Sequence, residues 1–211
     1  MFRSIAAIVV AIRFGHPEVT EEDANRYAVA LQAEAERNNF DPLTGVAIIH
    51  HESRFHPRAV SKDKEDYGLG QIRARHIGPC KKDKNPIARP SAACKEMKER
   101  LLEPEENIRV MSEIIASHRK ICRQKIRRSD LQSWLASYQG RNSIKDDRWC
   151  EPGDGTWKVI RYQQRLAREV TKRADEIAAA EKAAQAAAQN VVADSREDQA
   201  PPPPVEAKRG G

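Results

Sequence analysis

Between Asp41 and Pro57 lies the segment that most restricts how this chain can fold. Leu43, Val46, Ala47, Ile48 and Ile49 make it apolar nearly all round at helical spacing, so this helix is expected to be buried. Asp41 can cap it and Pro42 suits the first helical position. It runs toward Glu52 and must stop before Pro57. A carboxyl at the end of such a helix is partly desolvated, which disfavours its charged form and raises its pKa. An acid that stays protonated near neutral pH can serve as a general acid. Most glutamates simply point into solvent, and periodicity alone favours that plainer reading of Glu52.

The flanking segments are also helical. Thr20-Glu21-Glu22-Asp23 reads as a capped helix start, followed by Ala24, Tyr27, Ala28, Leu31 and Ala35 at helical spacing. Ala59 to Ile72 is turn-like and Gly-punctuated, which predicts a short hairpin or an irregular loop. Residues 73–90 are basic and Pro-rich, hence loop-like. Helices follow from about Ser91 to Leu102, from Pro104 past Cys122, from a cap at Ser129 to Gly140, and from near Thr156. The fold class is mostly α with one small β-hairpin or loop element.

Charge is unevenly placed. The chain carries 37 Lys and Arg against 31 Asp and Glu, a net +6. Residues 1–72 hold 8 basic and 11 acidic residues (net −3), whereas residues 73–128 hold 16 and 7 (net +9). A basic stretch is a solvated face or an attraction for a polyanion. With 5% aromatic residues and no recognition motif, no nucleic-acid partner is expected. No membrane span is expected either, because the apolar run Ile5–Ile12 is too short to cross a bilayer.

That run leaves two readings of residues 1–19: a weak or truncated export signal, or a buried first helix. Residues 20–172 form the expected main domain. Residues 173–211 form an Ala-rich helix and a Pro-rich flexible tail, a candidate tether to a partner. The four cysteines allow three pairings. Cys80 and Cys94 flank a Lys/Pro-rich loop and make a natural local pair, leaving Cys122 to Cys150. Disulfides imply an oxidising compartment; the alternative is four reduced thiols.

The residues around Glu52 extend the reading. Glu52-Ser53-Arg54-Phe55-His56-Pro57-Arg58-Ala59-Val60-Ser61 is followed by Gly68-Leu69-Gly70-Gln71-Ile72. Asn107-Ile108 and Ala136-Ser137-Tyr138-Gln139-Gly140 come later in order. This resembles the soluble-type lytic transglycosylases (the SLT domain of the goose-lysozyme-like superfamily), over about Asn25 to Val170. The resemblance implies a lysozyme-like helical domain that cleaves the β-1,4 bond between N-acetylmuramic acid and N-acetylglucosamine in peptidoglycan glycan strands. It implies a 1,6-anhydro product, Glu52 as single general acid/base, no cofactor, and a periplasmic or otherwise exported location, where the tail would be a candidate tether to a secretion machine or another cell-wall partner.

By the same resemblance, Ser53 orients Glu52 or its backbone and Ser61 lies near the substrate N-acetyl group. Tyr67, Gly68, Leu69 and Gln71 belong to the loop lining the sugar groove. The Tyr138 hydroxyl reaches the catalytic Glu, with Gln139 beside it, and Asn107 is a buried structural amide. Three departures from the family pattern bear on the groove. Gly70 stands for Met, Gln139 for Asn, and Arg73-Ala74-Arg75-His76 replaces Pro-x-Thr and opens a basic insertion reaching Cys94.

Three alternatives stay open. A zinc hydrolase needs His-Glu-x-x-His, but Phe55 occupies the second His position, so no metal is expected. A hydrolytic muramidase needs a second carboxylate, which Asp63, Glu65 or Asp66 could supply. A non-catalytic peptidoglycan- or polyanion-binding module would use the basic stretch.

Overall fold

The structure is a computed structural model that describes residues 4–143, 146–183 and 185. The chain divides into two compact units, Met1–Arg173 and Ala174–Gly211. In the second unit residues 174–183 are helical. The Pro-rich tail lies outside the described residues.

The first unit is built around α3 (Pro42–Glu52). Asp41 caps it by accepting from the Leu43 amide at 3.0 Å, and every residue from Pro42 to Ile49 is buried. Its neighbours are α1 (Ile5–Gly15), α2 (Glu21–Asn38) and α7 (Asp154–Lys172). An apolar helix without a polar face demands such enclosure.

Helix α1 spans the apolar N-terminal run. Ser4 caps it, and Ala7, Ile8, Ala11 and Ile12 lie fully buried against its neighbours. On α2 the stripe Ala24, Tyr27, Ala28, Leu31 and Ala35 faces the core, and the helix ends at Asn39 in the left-handed region. Helix α5 (Pro104–Ile126) packs against α2 and against α6 (Leu131–Tyr138). Asp130 rather than Ser129 caps α6, accepting from the Ser133 amide at 3.0 Å. Helix α7 starts at Asp154, one half-turn before the expected Thr156.

The β element is a two-residue antiparallel hairpin. Strand β1 (Asp66–Tyr67) pairs with β2 (Ile72–Arg73), Asp66 opposite Arg73. The basic insertion is not all loop: it holds two short 3-10 turns, Ala74–His76 and Gly78–Lys82, before α4 (Ala92–Arg100). Both disulfides form as Cys80–Cys94 and Cys122–Cys150. The first ties the insertion to α4, and the second ties the end of α5 to the segment before α7. Closing a loop of 14 residues stabilises by about 3 kcal/mol in the chain-entropy picture. Among the described residues no helix is long and apolar enough to cross a membrane.

Candidate active site

Glu52 is the last residue of α3. The chain reverses immediately after it: Arg54 (φ 55°) and Phe55 (φ 60°) both adopt the left-handed region. That conformation costs a non-glycine residue roughly 1–2 kcal/mol. Burial of the Phe55 ring, 4.9 Å from His16 and 6.3 Å from Tyr27 between centroids, offsets it. Ser53 closes the helix through its amide to the Ile49 carbonyl (3.0 Å), and its buried hydroxyl donates to the same oxygen (3.4 Å).

The Glu52 carboxyl makes no hydrogen bond or ion pair with any described residue. Burial, and secondarily the charge of Asp66, raise its pKa to about 7. The sequence offers Asp66 only as one of three turn carboxylates, with Asp63 and Glu65, because its proximity to Glu52 depends on the hairpin's register.

The loop Gly68–Gln71 is held from behind by Asn107, which is completely buried on α5. Its amide nitrogen donates to the carbonyls of Tyr67 (2.8 Å) and Leu101 (2.7 Å), and its oxygen accepts from the Gly70 amide (2.7 Å). Gly68 sits at φ +71°, and a Cβ there would come within 2.2 Å of the Asn107 Nδ2 and the Leu101 carbonyl. No other residue fits that contact. Gln71, also at positive φ, donates from Nε2 to the carbonyls of Gly68 (2.9 Å) and Ala59 (3.2 Å). Leu69 is fully buried, so it anchors the loop from below. At Gly70, where the family carries Met, buried Met111 from α5 lies alongside: a Cβ would meet its Cγ and Sδ at 3.1 Å.

The other expected site residues have definite partners. The Tyr138 hydroxyl donates to the Gly70 carbonyl at 2.9 Å, with Glu52 close enough for its charge to act on it. Burial, then the charges of Glu52 and Asp66, hold that hydroxyl well above its ordinary pKa, so it stays a donor. The Ser61 hydroxyl accepts from the amides of Glu65 (3.2 Å) and Asp66 (2.9 Å) and donates to Asp63. It therefore shapes the turn before β1. The Tyr67 hydroxyl donates to the Lys64 carbonyl (3.1 Å), and Lys98 lies over its ring. Gln139 accepts from the Thr156 hydroxyl at 2.9 Å, joining the end of α6 to the start of α7.

All three carboxylates weighed as a second catalytic acid are engaged. Asp63 accepts from Ser61; Glu65 pairs with Arg73 (3.3 Å) and Arg75; Asp66 pairs with Arg73 (3.0 Å). The Arg73-Ala74-Arg75 departure thus supplies counter-charges to the hairpin's acids. Among the described residues no three His, Cys, Asp or Glu side chains are grouped to hold a metal ion.

A buried helix ending on an unpaired acid, faced by a small hairpin and enclosed by further helices, defines a lysozyme-like helical domain. The family model of the Transglycosylase SLT domain matches residues 30–152, more than half of the chain. The protein belongs to that family. No curated protein and no solved structure matches the chain.

Proposed function

We propose that the protein is a peptidoglycan lytic transglycosylase with Glu52 as its single general acid and base. Family membership supports the substrate class, a transglycosylase-type action on the bacterial cell wall. The observation that carries the mechanism is the Glu52 carboxyl, desolvated, unpaired and with its pKa raised to about 7. A carboxyl in that state gives up its proton readily at neutral pH and takes it back.

In the proposed reaction, the protonated Glu52 donates to the glycosidic oxygen between N-acetylmuramic acid and N-acetylglucosamine. The C1–O bond breaks, and the substrate's own N-acetyl oxygen stabilises the cation at C1. Glu52, now a carboxylate, takes the proton of the muramic 6-hydroxyl, whose oxygen bonds to C1. The 1,6-anhydro ring closes, and Glu52 is again protonated. Water is not consumed, and no second carboxylate is needed. The ion pairing of Glu65 and Asp66, and the Ser61 hydrogen bond to Asp63, favour this route over hydrolysis, which needs a free base.

In this reading the Gly68–Gln71 loop lines the sugar groove with backbone, held by Asn107 and Tyr138. Ser53 and Ser61 act indirectly, on the helix end and the turn. Residues 20–172 carry the chemistry, with α1 as a structural addition, and the site of action lies outside the cytoplasm, in keeping with two disulfides. Digestion of purified cell wall tests the reading: anhydro-muropeptides support it, and reducing-end products alone overturn it.

A further inference from the structure

Behind the Glu52 helix lies a polar cluster that the proposed reaction does not use. His50 Nε2 is 2.9 Å from the Arg54 guanidinium, His50 Nδ1 is 2.7 Å from His16 Nε2, and His16 Nδ1 is 2.8 Å from the Glu18 carboxylate. A guanidinium only donates, and an ionised carboxylate only accepts. These two ends fix every proton between them. His50 must accept at Nε2 and therefore carries its hydrogen on Nδ1. It donates to His16, which must accept at Nε2 and donate from Nδ1 to Glu18. The result is a one-way chain, Arg54 to His50 to His16 to Glu18, with both rings neutral.

The chain joins two elements far apart in sequence. His50 belongs to α3, two residues before Glu52, and His16 caps the C-terminus of α1. His16 is 4% exposed. Tyr162 of α7 stacks on His50 at 3.7 Å between centroids, nearly parallel. The Tyr162 ring fits there only because residue 15 is glycine: a Cβ would lie 1.8 Å from the Tyr162 hydroxyl oxygen.

Neither ring can take a second proton without losing a bond of the chain. A proton on His50 Nε2 would face the Arg54 donor, and one on His16 Nε2 would face the His50 N–H. Of the charged and titratable groups around the pair, the cations oppose protonation and the Glu18 carboxylate does not. These groups are Arg54 and His51 from α3 and its end, Arg165, Lys158 and Tyr162 from α7, and Glu18 and His56 from the adjoining loops. Glu18 is the one carboxylate among them. Burial, then Arg54, push His50 down to about 3.

We propose that the Arg54–His50–His16–Glu18 chain is a proton-sensitive lock, holding α1 against the helix that bears Glu52 and opening as acid protonates His50. A histidine freed by undocking binds protons from about pH 6.5 downward, whereas the docked His50 does not. Acid therefore pulls the equilibrium toward the undocked state. Resting on the Glu52 reading, this gives the enzyme an acid limit set by α1 docking and an alkaline limit set by Glu52.

Two measurements on the whole protein test the lock without turnover, so their outcome is separate from that of the muropeptide assay. Long-range proton–nitrogen NMR at pH 7.5 should find both His16 and His50 as Nδ1–H tautomers, the less common form in water. Hydrogen exchange, corrected for intrinsic rates, should show the opening constant of α1 amides rising about 30-fold from pH 7.5 to pH 5. In His50→Phe that pH dependence should flatten. An Nε2–H tautomer at either ring, or α1 protection that does not change with pH, overturns the proposal.

Discussion

The hydroxyl of Tyr138, at the end of α6, donates to the main-chain carbonyl of Gly70, 68 residues earlier, at 2.9 Å. Asn107 grips the Gly70 amide from the other side at 2.7 Å. Both polar groups of one glycine are thus held by side chains from two different helices, and the hairpin loop beside Glu52 has its position set by them. Tyr138→Phe should leave the Gly70 carbonyl without its partner and destabilise the fold by about 1–2 kcal/mol. Turnover should drop, read as kcat on purified cell wall. Because the hydroxyl does not bond Glu52, the alkaline midpoint of the pH–rate profile should stay where it is in the wild type.

That midpoint is itself a consequence of burial. Glu52 must be protonated to start the reaction, so activity should fall as pH rises through about 7. The same shift governs stability. The folded-state pKa lies above the ordinary glutamate value, so stability is greatest below that value and declines as pH rises through about 7. Glu52→Gln removes the charge and hence the penalty. It should unfold later than wild type at pH 8, by roughly 3 kcal/mol, and match it near pH 4. Urea melts at the two pH values check this.

Asp66 is the nearest lever on that pKa. Its charge raises Glu52, and its ion pair with Arg73 moderates the effect. Asp66→Asn should move the alkaline limb of the pH–rate profile to lower pH. Arg73→Ala, which leaves Asp66 without its guanidinium, should move it higher. Opposite displacements are the signature; equal and parallel losses of activity would mean that the pair matters only to the hairpin's shape.

Much of this is legible in the sequence. The α3 segment announces its burial through five apolar residues without a polar face, and Glu52 inherits a dry position from it. The four cysteines pair as the Lys/Pro-rich loop between Cys80 and Cys94 suggests. What was not readable depends on long-range placement. Tyr138 completes the apolar stripe of α6, and nothing in its spacing says that its hydroxyl finds Gly70. Ser129 and Asp130 are both good caps, and only the geometry of the α5–α6 turn chooses Asp130. The ambiguous apolar run at the N-terminus gives no hint of His16, because its partner is 34 residues away.

The most direct test of the central claim is the product spectrum of purified peptidoglycan digested by the wild type and by Glu52→Gln side by side, read by mass spectrometry. The wild type should yield muropeptides ending in 1,6-anhydro-muramic acid, and the variant, folded at least as stably, should yield none above background. Reducing-end muropeptides from the wild type, or undiminished anhydro products from the variant, would contradict the account.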